Sequence, residues 1–133
     1  MKSTSPTVSP SRDDEAMTQG TLQPIISSRI EFLVAALGSA TEVAEHLRIS
    51  RPLLRKWRTG TVMPTPAQLR LLITLDHVVA RASLFIEGRA VIEWLNGSNS
   101  YLGGARPIDV LHVSGVRKVL DALDAGEQLA WGG

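Results

Sequence analysis

Cysteine is absent from the 133 residues. That removes a disulfide framework, a thiolate zinc site and a thiol nucleophile together. No stretch approaches the roughly 18 consecutive apolar residues that a membrane helix needs. The first twenty residues, MKSTSPTVSPSRDDEAMTQG, lack the apolar centre of a secretory signal. The expected location is therefore the cytoplasm, with no membrane partner. No segment alternates polar and apolar residues with period two, so strands are not expected. Without a strand there is nothing to carry a phosphate-cradling glycine loop, and no His-x-x-x-His pair stands on any helix.

The three histidines are His46, His77 and His112. His46 is expected on the exposed side of its helix. His112 follows Asp109 by three residues, which suits a surface His–Asp pair and falls short of a triad or a metal site. Neither a cofactor, a metal nor catalysis is expected.

Net charge is +1, but it is unevenly spread. Residues 23–86 hold eight basic and four acidic side chains, whereas residues 87–133 hold four basic and six acidic. The middle should face an anion and the last third should not, which points to two surfaces with two partners. Residues 1–22 are rich in Ser, Thr, Pro and Asp and poor in large apolar side chains. They are read as a disordered tail, since they bury too little surface to offset their ordering entropy.

From Pro24 onward apolar residues recur at helical spacing. Ile26, Ile30, Leu33, Val34 and Leu37 form one stripe, stopped by Gly38. A short helix follows with Val43, Ala44 and Leu47 on one face. Ser50 is a good N-cap for the next, with Pro52 early in its first turn, and Gly60 ends it. Thr65 and Pro66 open a long helix. Its Leu69, Leu72, Ile73, Val79 and Leu84 spread around the axis and predict a central, covered position. A fifth helix spans Glu87 to Leu95, and the loop NGSNSYLGG follows. Pro107 starts a sixth, to about Val113. Ser114 should cap the last, Gly115 to Ala125, with Gly126 as its C′ stop. The expected fold is an all-α small helical bundle.

TEVAEHLRISRPLLRKWRTG, Thr41 to Gly60, carries the strongest local signal. It is two short helices joined by a turn of about three residues. Ala44 is small where the helices must cross, Ile49 plugs the turn, and Leu54 and Trp57 anchor the second helix. At 100° per residue, Leu53, Leu54 and Trp57 share one side of that helix. Arg51, Arg55 and Arg58 share the other, with Pro52 and Lys56 at its edge. A core face that fixes the pose and a basic face that is free suit a recognition helix for the major groove. A solvated basic face on a protein-binding module would look the same.

This stretch resembles the Xre-type helix–turn–helix family, in which a pattern [TQ]xxxAxxLxIS…W…G recurs. The family usually has Gly where Arg48 stands, so the turn here is expected to differ slightly. The resemblance implies DNA contact. Arg51 and Arg55 are the candidates for base edges. Ser50 and the helix N-terminus suit a phosphate, and Lys56 and Arg58 would meet phosphates without reading sequence. A charge of +4 on residues 23–86 neutralises few phosphates, so a homodimer or a larger complex is expected.

The last 45 residues or so hold Trp94–Leu95, Leu102–Gly103–Gly104, Pro107, Leu111, Gly115, Val119 and Gly126, in that order. That order resembles the toxin-binding domain of the Xre/MbcA/ParS antitoxins. With the helix–turn–helix before it, the resemblance spans about 110 residues. The implied organisation is a tail (1–22), an Xre-like helix–turn–helix domain (23–86) and a toxin-binding domain (87–133). Plain packing accounts for Trp94, Pro107 and Gly115.

The resemblance implies a RES-domain toxin partner that consumes NAD, neutralised by blocking its active-site cleft, together with operator DNA. The candidate toxin-binding residues are Tyr101, Arg106, Glu127, Gln128, Leu129, Ala130, Trp131, Gly132 and Gly133. Trp131, between Ala130 and two glycines, either packs at home over Leu120 and Leu123 or enters the toxin cleft. The alternative reading of the whole chain is a plain Xre-type repressor whose C-terminal helices only dimerise.

Overall fold

A computed structural model describes the backbone of residues 12–132 and the side chains of residues 22–129. Seven α-helices follow one another: α1 (Arg12–Leu37), α2 (Ala40–Leu47), α3 (Arg51–Thr59), α4 (Pro66–Ala82), α5 (Arg89–Asn96), α6 (Pro107–Ser114) and α7 (Val116–Gly132). One 3-10 turn, Ser100–Leu102, lies between α5 and α6. No strand occurs among the described residues, and the all-α expectation is met.

Helix α1 crosses the boundary expected at residue 22. It begins at Arg12 and runs through Pro24. Residues 1–11, the rest of the expected tail, lie outside the described residues.

The caps explain the helix starts. Ser39, Ser50 and Thr65 each accept a hydrogen bond from the backbone N–H three residues on. Thr65 and Gln68 bond reciprocally as a capping box, with Pro66 opening α4.

One apolar core joins every helix. It takes Ile26, Ile30 and Leu33 from α1, Val43 from α2, Leu54 and Trp57 from α3, and Leu72, Leu75 and Val79 from α4. Leu95, Leu111, Val119 and Leu123 come from the last three helices. The 23–86 and 87–133 segments therefore share one interior. Helices α4 and α7 run side by side in the same sense. Leu71 and Val116 line one cleft at the first end, and Arg81 meets Asp124 (2.6 Å) and Glu127 (3.5 Å) at the other.

Three local expectations are corrected. Helix α4 ends at Ala82, so Leu84 lies in the following turn and is 75% exposed, and Ile73 also faces solvent. The core side of α4 is instead completed by Leu75, Val78 and Ala82. Ser114 is the last residue of α6 rather than the cap of α7, because Gly115 (φ 91°) makes the break. Gly126 does not stop α7, which continues to Gly132. Arg81 holds both Asp124 and Glu127, and so straps the helix to α4 on either side of that glycine.

Candidate functional site

Two surfaces hold the candidate residues. The first is the outer face of α3. Leu54 and Trp57 are buried, and they fix the rotation of the helix about its axis. Its C-terminal end is fastened by α1: Gln23 Nε2 donates to the carbonyls of Trp57 (3.1 Å) and Arg58 (2.9 Å). These bonds satisfy carbonyls that a helix end leaves open. Ser50 caps the other end, its hydroxyl accepting from Leu53 N–H at 3.1 Å. That hydroxyl is thus engaged within the protein.

Arg51, Pro52, Arg55 and Lys56 are exposed together. Among the described residues no ion pair takes Arg51, Arg55 or Lys56. Arg58 is set apart. It is half-buried and donates to Glu31 of α1, through Nε at 2.9 Å and through Nη2. Among the described residues this leaves Arg51 and Arg55 free on one face, Lys56 free at its edge, and Arg58 occupied.

The turn before α3 keeps the left-handed residue that the sequence argument expected Arg48 to disturb. Arg48 itself has φ 58° and ψ 44°, and it is the one non-glycine with positive φ among the described residues. Its N–H reaches Glu45 carbonyl at 3.1 Å and Ile49 N–H reaches Ala44 carbonyl at 3.0 Å. Its guanidinium pairs with Asp109 of α6.

The second surface lies on the last third of the chain. Asn99 organises the loop before α6. Its side chain accepts from Tyr101 N–H (2.9 Å), and its carbonyl accepts from Gly104 N–H (2.8 Å). Gly103 and Gly104 both have positive φ, 69° and 92°, a tight reversal that glycine adopts at no steric cost. Tyr101 is thereby held outward, 58% exposed, beside a cleft of about 510 Å³ lined also by Val110, Ser114 and Lys118. Arg106 is exposed at the head of α6 and donates to Asp109 from Nε (2.8 Å) and Nη2 (3.0 Å). That pairing holds the Asp109 carboxyl below the usual carboxylate range, first through the Arg106 hydrogen bond and further through Arg48.

Glu127 is not free at the end of the chain. It is half-buried on α7 and faces Arg81. Gln128 and Leu129 are exposed on the same helix. The side chains of Ala130, Trp131 and Gly132, and the whole of Gly133, lie outside the described residues, so the question of where Trp131 packs lies there too. Tyr101 and Arg106 belong to the segment that leads into α6, while Glu127 to Leu129 belong to the far end of α7.

Two histidine expectations are overturned. His46 is buried, 5% exposed. Its Nδ1 faces Glu42 carbonyl at 2.7 Å and its Nε2 accepts from Asn96 Nδ2 at 3.0 Å, which places the ring proton on Nδ1. His112 makes no pair with Asp109; its Nε2 donates to His46 carbonyl at 2.7 Å, and burial pushes its pKa down. Asp109 is taken by the two arginines. Sequence reasoning missed Asn96 and Asp109 as the residues that join the two halves. The one signal available was Arg48 standing where a turn prefers glycine.

No cluster of three potential metal ligands occurs among the described residues, and no described helix is long and apolar enough to cross a membrane.

Residues 82–128 match the family model of the antitoxin Xre/MbcA/ParS C-terminal toxin-binding domain. A probable mycobacterial cidal antitoxin of Mycobacterium tuberculosis is 36% identical over 74 residues, covering 53% of this chain and 59% of that protein. The chain thus spans about three-fifths of that relative's length. No solved structure matches.

Proposed function

We propose, residues 82–128 being of the Xre/MbcA/ParS antitoxin type, that the chain is the antitoxin of a type II toxin–antitoxin pair in the cytoplasm. Its C-terminal part binds and neutralises a RES-domain, NAD-degrading toxin by blocking the active site. Its helix α3 binds operator DNA and represses the operon, as a homodimer or within a larger complex with the toxin.

The match of the last third to a toxin-binding family carries this reading. The excess of acidic residues from 87 onward suits a cleft built for the phosphates of NAD. Tyr101, Arg106 and residues 127–133 are the contact residues proposed. For DNA, the support is a helix–turn–helix whose second helix presents Arg51, Arg55 and Lys56 unpaired. Arg51 and Arg55 are assigned to base edges. Lys56 is assigned to phosphate, as are the backbone N–H groups of the first turn beside Ser50; Pro52 has no N–H to donate and is assigned to apolar contact only. Arg58 would reach phosphate only by leaving Glu31. Three cations neutralise few phosphates, which favours two copies on the operator.

The test is a pull-down of the tagged chain from its native host, with mass spectrometry of what accompanies it. A stoichiometric small protein that depletes NAD when freed is the expected result. Recovery with DNA alone would move the assignment to a plain repressor. Truncation after Gly126 then locates the block. Loss of neutralisation with the fold retained assigns it to the end of α7. Retained neutralisation moves it to Tyr101 and Arg106.

A further inference from the structure

Arg48 occupies a backbone conformation that an L-residue with a side chain adopts roughly five- to thirtyfold less readily than the right-handed one. It sits two residues before Ser50, the cap of α3. Its conformation therefore sets the angle at which α3 leaves α2. A glycine there would be unstrained and would have no side chain to reach anything. The arginine reaches across 61 residues of sequence to Asp109.

Asp109 is shared. Its Oδ1 accepts from Arg48 Nη2 and, at 3.0 Å, from Arg106 Nη2, and its Oδ2 accepts from Arg106 Nε. One turn further along α6, His112 holds the carbonyl of His46. Helix α6 thus grips the last turn of α2 at two points, and the first of these is also bonded to the exposed Arg106.

We propose that Asp109 is a positioning residue for α3, which it aims by holding Arg48 in the left-handed turn, and that Arg106 competes for the same carboxylate. This rests on the reading of α3 as the DNA-binding helix. It supplies a physical link from the toxin-facing surface to the DNA-facing one. A partner with an acidic group for Arg106 would leave Asp109 wholly to Arg48, and would stiffen the turn that presents Arg51 and Arg55.

The experiment uses the full chain, with amide hydrogen exchange at Ile49, Leu53 and Leu54 and anisotropy on a duplex from upstream of its own gene. Asp109→Asn should speed exchange at those amides about two- to fivefold, the range of an exposed ion pair, with Leu75 and Val79 in α4 unchanged. Arg106→Ala should slow it. In an Arg48→Gly background, which relieves the strained turn, Asp109→Asn should have no effect. On DNA, Asp109→Asn should weaken binding by a similar factor, although loss of a negative charge near the basic face would by itself tighten it.

Tighter binding, unchanged exchange, or a loss that persists with Arg48→Gly would overturn the positioning role. Unchanged exchange in Arg106→Ala would overturn the competition. If the wild-type chain binds the duplex no better than a scrambled one, the DNA reading fails, and the exchange cycle still decides the role of Asp109.

Discussion

Arg58, on the basic face of α3, is tied by Nε and Nη2 to Glu31 of α1, whereas Arg55, one turn before it, has no ionic partner among the described residues. Two arginines of one helix face are therefore unequal before any ligand arrives. Arg55 is available at no cost beyond its own ordering. Arg58 must first give up a charge-assisted pair.

Operator affinity should divide these residues. Arg55→Ala is expected to weaken binding by about 1–3 kcal/mol if the side chain reads a base edge, and Arg51→Ala by a similar amount. Arg58→Ala should cost less, and Glu31→Gln should tighten binding by freeing Arg58 for a phosphate. Equal losses for Arg55→Ala and Arg58→Ala in an anisotropy titration would show that Arg58 leaves Glu31 on the DNA.

The seven helices and two of their side-chain caps, Ser50 and Thr65, could be read from the sequence because they are set within a few residues. Thr65, Pro66 and Gln68 are neighbours, and the spacing of Ile26, Ile30 and Leu33 needs no knowledge of what they pack against. The misread residues depend on distant partners. His46 is buried because Asn96 and His112, 50 and 66 residues away, bond its ring and its carbonyl. Arg58 turns to a glutamate 27 residues earlier. Arg48 tolerates a glycine-like conformation with Asp109 to hold its side chain. Gly126 looked like a stop because local propensity ends a helix there, whereas Arg81 on another helix carries α7 past it.

Trp57 is fully buried, and its Nε1 has no hydrogen-bond partner among the described residues. Trp57→Ala should destabilise the fold by about 3–5 kcal/mol through the cavity it leaves. Trp57→Phe should cost under about 1.5 kcal/mol, because the lost area is offset by removal of a buried unsatisfied donor. Chemical denaturation followed by circular dichroism measures both. A Phe variant as unstable as the Ala variant would mean that the indole N–H is satisfied after all.

Acid should loosen the contact between α2 and α6. Burial lowers the pKa of His112 below its ordinary 6.5. The unfolded chain then binds a proton that the folded chain resists, and stability held above that pH is lost as the pH falls below it. Asp109, lowered below 3.8 by Arg106 and Arg48, acts in the same direction in a more acidic window. His112→Gln can keep a donor for His46 carbonyl but cannot become charged. Its melting temperature should fall less than that of the wild type between about pH 7.5 and about pH 5. Parallel curves for the two proteins would remove His112 as the cause.

Gly126 gives the sharpest test of how the chain ends. In the structure it lies inside α7, without positive φ, and a Cβ built on it meets nothing within 4 Å. Gly126→Ala should therefore stabilise the protein by about 0.5–1 kcal/mol, through helix propensity and reduced freedom of the unfolded chain. A glycine acting as a helix stop would respond with the opposite sign. Its left-handed conformation would cost an alanine about 1 kcal/mol or more. Thermal melts of the two proteins decide between a helix that carries the last residues rigidly outward and one that releases them at residue 126. A stabilised variant that also neutralises toxin as well as the wild type would establish that the end of α7 works as a helix. A stabilised variant that neutralises poorly would show that the helix must open at Gly126 when the partner binds.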